Sequence, residues 1–164
     1  MMPENKRAEL VIKIKKAFKK TPFPGNKIGD KEELTEFLGK RWEEIRFDDL
    51  NRNSGFLLWF DPNGLIYYLQ AFMVAILEYP EKVTTDVKEN LVRYLGGEQP
   101  KSEKFRKLFS EEQQELILQF LLNLQYDDLY PPTSQKLNPG AQRLVARRKA
   151  EYNAMWNQAI DYWK

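Results

Sequence analysis

DPNGLIYYLQAFMVAILEYP, residues 61–80, is the stretch on which the reading of the whole chain turns. Asp61 followed by Pro62 predicts a helix start. Aspartate supplies a side-chain acceptor at the N-cap, and proline is preorganised for the first helical position, where its missing N–H costs nothing. Leu65, Leu69, Phe72, Met73, Ile76 and Leu77 then fall on one helical stripe. Ile66, Tyr67, Tyr68 and Val74 carry the apolar surface around much of the cylinder. A helix apolar on most of its faces belongs inside a fold, so this segment predicts the central helix, running to about Tyr79 and stopping before Pro80.

Working toward the N-terminus, Phe56 to Phe60 is an apolar run too short for its period to separate strand from helix. Asn51 to Gly55 is a polar loop, and Trp42 with Ile45 anchors a short helix or turn. Asp30 with Glu33 has the spacing of a capping box, which predicts a helix with Leu34, Phe37 and Leu38 buried and Gly39 as its stop. Asn5 to Lys20 places Leu10, Val11, Ile14, Ala17 and Phe18 on one face and lysines on the rest, an amphipathic helix. Thr21-Pro22-Phe23-Pro24-Gly25 ends it.

Toward the C-terminus, Asp86 and Glu89 suggest a second capping box, opening a helix that Gly96-Gly97 closes. Ser110 with Gln113 opens the next, which carries Leu116, Ile117, Phe120, Leu121 and Leu124. Asp127 to Pro139 holds three prolines and reads as a linker. Asn138-Pro139 starts a last amphipathic helix through about Tyr162, with Leu144, Val145, Tyr152, Met155, Trp156, Ala159, Ile160 and Trp163 on its stripe. The expected architecture is mainly α, a compact multi-helix single domain. Residues 1–126 form the helical body, 127–139 the Pro-rich linker, and 140–164 an appended helix docking in cis or in trans.

Composition narrows the chemistry. The 164 residues include no histidine and no cysteine, so thiolate chemistry, disulfides and imidazole ligation are excluded. Acid–base work would fall to Asp, Glu, Lys or Tyr. The pairs Asp48-Asp49 and Asp127-Asp128 lie beside turns, where aspartate caps helices and accepts backbone hydrogen bonds; no metal or cofactor is expected. Gly96-Gly97 and Gly39-Lys40 follow helices rather than strands, and neither forms a phosphate cradle. The longest apolar candidate for a membrane span, Phe56 to Leu77, is interrupted by Asp61, Pro62, Asn63 and Gly64, so no membrane segment is expected. No signal peptide is legible either, and a cytoplasmic location is the expectation.

The net charge of +2 is unevenly spread. Residues 1–20 hold seven Lys/Arg against two carboxylates, residues 21–135 thirteen against twenty, and residues 136–164 six against two. An acidic middle between basic ends lets the terminal helices dock on the body, or recruits an acidic partner.

Several landmarks in order carry a family likeness. They are Phe18 followed by Pro22-Phe23-Pro24-Gly25, Gly39-Lys40-Arg41-Trp42, Asp61-Pro62 leading into Tyr67-Tyr68-Leu69-Gln70-Ala71-Phe72-Met73, and Phe120-Leu121. By these the chain resembles a widespread bacterial family of small proteins classed as a domain of unknown function, over roughly residues 8–125. Gln70 departs from the pattern, where a proline is expected, which implies a straighter helix here. The resemblance implies a compact helical fold and supplies no activity or catalytic residue.

Two residue clusters remain as candidate interfaces. Trp42, Tyr67 and Tyr68 would form an aromatic, half-buried rim able to line a pocket or a contact. Arg143 and Arg147 share a helix face, followed by Tyr152 and Trp156. The reading this favours is a non-enzymatic protein-interaction module, of an immunity-like kind in one form, acting on a protein partner or on itself. A small-ligand binder or enzyme with an aromatic-lined pocket is one alternative. A weak nucleic-acid binder through the basic last helix is the other, disfavoured by the acidic body.

Overall fold

The computed structural model describes residues 2–96 and 102–164. Among the described residues there are eight α-helices: α1 (Glu4–Phe18), α2 (Phe47–Arg52), α3 (Pro62–Glu78), α4 (Thr85–Leu95), α5 (Ser102–Arg106), α6 (Glu111–Leu121), α7 (Tyr126–Leu129) and α8 (Pro139–Trp163). Among the described residues there is no strand, and one isolated antiparallel bridge joins Gly29 to Phe60. No described helix is long and apolar enough to cross a membrane.

Helix α3 is the centre, as its all-round apolarity requires. The Asp61 carboxylate accepts from the Gly64 amide at 2.7 Å, and every residue from Leu65 to Leu77 except Ile66 is buried. Helix α1 lies along it with Leu10, Val11, Ile14 and Phe18 inward, and also packs on α6. The entrance to α3 is tied by two hydrogen bonds, Asp30 N–H to Trp59 O (3.0 Å) and Asp61 N–H to Ile28 O (2.7 Å). That approach needs two glycines. A Cβ on Gly29, whose φ is +136°, would sit 2.0 Å from the Trp59 carbonyl oxygen. One on Gly64 would sit 2.3 Å from that of Ile28. Backbone cannot yield that much, so both positions are closed to any larger residue.

Residues 30–40 do not form the expected helix. They are a series of turns mixing i→i+4 bonds (Leu34 to Asp30, Leu38 to Leu34) with i→i+3 bonds (Phe37 to Leu34, Lys40 to Phe37). Asp30 caps the first turn, accepting from Glu32 and Glu33 amides, but its backbone is held by the bridge to Trp59. The other end is held by Tyr68, whose hydroxyl shares its proton between the Phe37 and Lys40 carbonyls. So short a segment gains little from regular helix, and the tertiary anchors decide its path. Leu34 and Phe37 are nonetheless buried, and Gly39 turns the chain at φ +70°.

Helix α4 also starts earlier than the Asp86–Glu89 spacing suggests. Its N-cap is Thr84. Asn51, at the end of α2, accepts from the Thr84 amide (2.9 Å) and donates to the Lys82 carbonyl (2.8 Å), fixing the approach two residues before Asp86. Glu89 is thereby released for another partner. Gly96 caps α4; Gly97 lies outside the described residues. In α6 the Ser110–Gln113 capping box closes on both sides, at 3.2 and 3.0 Å. The apolar run 56–60 is a 3₁₀ turn (Phe56–Leu58) leading into the bridge. Asp127 and Asp128 belong to α7, because Tyr126 and Leu129, three apart, are both buried; the irregular linker starts only at Tyr130.

Candidate interaction surface

Helix α8 begins at Asn138, whose side-chain oxygen accepts from the Ala141 amide at 2.8 Å, with Pro139 at the first position. At 25 residues it is about 37 Å long. Its two halves have different surroundings.

In the second half Tyr152, Met155, Ala159, Ile160 and Trp163 are buried against α4 and α6. Three aromatic tips do more than fill space. Trp163 Nε1 donates to the Leu95 carbonyl (2.8 Å), Trp156 Nε1 to the Leu121 carbonyl (2.8 Å), and the Tyr152 hydroxyl to the Leu124 carbonyl. Leu95 ends α4 and Leu121 ends α6, so the two tryptophans satisfy carbonyls that a helix end leaves without an intrahelical partner. Arg106 adds a clamp, its backbone N–H donating to the Tyr162 hydroxyl and its guanidinium to the Tyr162 carbonyl, both at 3.1 Å. Burial drives the Tyr152 hydroxyl well above the ordinary tyrosine pKa, with the charges of Glu89 and Asp128 and the neighbouring Tyr130 acting the same way.

In the first half, Pro139 to Glu151, no side chain is buried. Two cations near its end tie it down. Lys149 meets both oxygens of Asp127 at 2.8 and 2.9 Å. Arg148 donates to the Tyr130 hydroxyl at 2.7 Å, stacks 4.4 Å from that ring's centre, and lies 3.8 Å from the Glu89 carboxylate, to which the same hydroxyl donates. Burial first, then the hydrogen bond to Glu89, pushes the Tyr130 pKa up to about 12, with Arg148 opposing. Farther out, Leu144 is 68% and Val145 42% exposed. Leu144 forms a ridge between two clefts. One, of about 660 Å3, is lined by Tyr130, Pro131, Pro132, Leu137, Leu144 and Val145. The other, of about 470 Å3, has Glu89, Arg93, Arg147, Glu151 and Met155 around it.

The sequence-selected residues thus separate. Tyr152 and Trp156 donate to carbonyls of their own chain, those of Leu124 and Leu121. Arg143 is exposed, and Arg147 pairs with Glu151 at 2.8 Å, one turn along the same helix. Tyr67 and Tyr68 are not a surface rim: α3 is covered all round, so both rings are interior. Tyr68 packs edge-on to Phe37 (5.3 Å) and stacks on Phe60 (5.5 Å). The Tyr67 hydroxyl accepts from the Trp42 amide at 3.2 Å, and burial raises the pKa of both phenols. Trp42 is half-buried, on the edge of a separate cleft with Phe47 and Tyr79. Of the carboxylate pairs, Asp49 is buried and accepts from the Arg46 amide at 2.9 Å, while Asp127 takes Lys149. Among the described residues no three carboxylates converge as metal ligands would. Sequence reasoning missed Tyr130 and Glu89; both lie far from Arg148 along the chain, and only the fold joins them.

The architecture defines a class, an all-helical domain whose last helix is half incorporated and half projecting. The chain matches, over residues 6–164, a family described as a family of unknown function (DUF6714), and it belongs to that family. The match runs through α8, so the last helix, which the likeness over residues 8–125 left out, is part of what the family shares. No curated protein and no solved structure matches the chain.

Proposed function

We propose that this protein is a non-enzymatic protein-interaction module whose contact surface is the projecting half of α8 with the Pro-rich cleft at its foot. The observation that carries this is the pair Leu144 and Val145, large aliphatic side chains exposed side by side next to an apolar cleft. Scattered apolar residues on a surface need no explanation, but a ridge beside an apolar concavity matches the anatomy of a protein contact. The aromatic-pocket alternative loses support, because the hydroxyls it needs, on Tyr67 and Tyr68, are engaged inside the fold. The nucleic-acid alternative loses support as well, since Arg148 and Lys149 are answered by Glu89 and Asp127 of the same chain.

Photo-cross-linking tests the reading. A photoreactive residue at position 144, in the cells that make the protein, should give a discrete adduct with another polypeptide. The same residue at exposed Glu112, on α6, should not. Identical adduct patterns at the two positions would refute the proposal.

A further inference from the structure

The charges around the ridge specify what kind of partner it fits. Between Pro139 and Lys149 every charged side chain is positive: Arg143, Arg147, Arg148 and Lys149. Two are answered in cis, as described above. Arg147 pairs with Glu151, both mostly exposed and the pair therefore weak. Arg143, one turn before Arg147, is exposed and extends the same cationic face. We propose that the ridge and cleft receive an acidic amphipathic segment of a partner protein, its aliphatic side chains entering beside Leu144 and its carboxylates meeting Arg143 and Arg147. This rests on the interaction reading above and adds the partner's chemistry.

Charge also decides against the nearest competitor. A second copy using the same patch would form an isologous contact, placing Arg143 and Arg147 of one helix against those of the other, and like charges brought together oppose association. A flat lipid surface fits less well than a protruding side chain, because the apolar surface beside the ridge is a cleft. A carboxylate-bearing helix answers both the apolar cleft and the cationic face. Its apolar side supplies the ridge contact and its charges supply the complement, which speeds encounter and fixes orientation.

The test uses the full chain and two fluorescent helical peptides, read by anisotropy. Both carry leucine at i, i+3, i+4 and i+7; the remaining positions are mainly glutamate in one and lysine in the other. The glutamate peptide should bind at least about tenfold more tightly than its lysine twin, and more weakly as salt rises. Either Leu144→Asp or the pair Arg143→Glu/Arg147→Glu should weaken it by about tenfold or more. All three positions are exposed, so the variants should melt with the parent protein, which circular dichroism verifies.

Equal binding of the two peptides, lost with Leu144→Asp, would overturn the acidic partner and leave the interaction surface standing. Glutamate-peptide binding indifferent to all the substitutions would place it elsewhere and overturn the inference. So would binding to neither peptide, in which case the cross-link at position 144 still judges the interaction reading separately. Preferential binding to phosphatidylserine vesicles would replace the peptide by a lipid surface. A doubled light-scattering mass, lost with Leu144→Asp, would replace it by a second copy.

Discussion

The two halves of α8 make an internal comparison, since they share one helix and one N-cap but meet different surroundings. From Tyr152 onward its aromatic tips end on the carbonyls of Leu124, Leu121 and Leu95. Before Tyr152 its aliphatic residues end in water, and two cations provide the attachment. The difference lies less in apolar content than in side-chain type. Trp and Tyr join an apolar body to a donor and can therefore complete a neighbouring helix end, whereas Leu and Val offer shape alone. The same periodicity thus serves the core in one half and leaves a surface in the other.

The largest effect expected is at Trp163. Trp163→Ala would open a cavity beside Phe105 and Phe109 and strand the Leu95 carbonyl, costing about 3–5 kcal/mol in chemical denaturation. For the same reason a chain ending at Tyr126 should not fold as a stable monomer. A truncated chain with full-length stability would break the comparison at its stronger end.

Tyr152→Phe comes next. Loss of its bond to Leu124 should cost about 1–3 kcal/mol near neutral pH, because a buried carbonyl loses its donor. Its pH signature is separate. The folded-state pKa is raised, so the unfolded chain ionises first, and the stability this gives is complete below pH 10 and lost above it. The variant should lose less stability than the parent as pH climbs above about 10. Tyr130 contributes in the same direction between its ordinary 10.0 and about 12. Equal alkaline slopes for parent and variant would contradict this.

Smaller effects belong to the attachment points. Lys149→Ala should cost only about 0.5 kcal/mol, because both it and Asp127 are largely exposed, and the loss should shrink at high salt. Arg148→Ala should cost somewhat more, about 1 kcal/mol, as it gives up the stack on Tyr130 as well as its charge. Least of all, Leu144→Ala should lie within about 0.5 kcal/mol of the parent. A large loss there would make the ridge structural and remove its availability to a partner.

The sequence legibly marked features whose physics is local. Asp61-Pro62, Ser110 with Gln113, and Asn138-Pro139 each cap the helix expected of them, because capping partners sit three residues away. It was illegible where a distant group takes control. Asn51 moves the start of α4, and Tyr68 with the Trp59 bridge holds residues 30–40 in turns. The requirement for glycine at positions 29 and 64 comes from backbone meeting backbone across the fold, which no local pattern encodes. Gln70 sits in α3 in place of the proline the likeness suggested. It is 1% exposed, with Nε2 donating to the Tyr67 carbonyl and Oε1 without a partner among the described residues. At the candidate surface, Arg143 and Arg147 were readable from helix spacing. The separation of Tyr152 and Trp156 from them was not, because it depends on which carbonyls lie opposite.

Hydrogen–deuterium exchange along α8 in the isolated protein tests the division most directly. Amides of residues 142–147, ahead of the Arg148 and Lys149 contacts, should exchange through local opening, while those of 154–163 should be protected nearly as well as α3. Uniformly strong protection along the helix, in a protein that light scattering shows to be monomeric, would contradict the account.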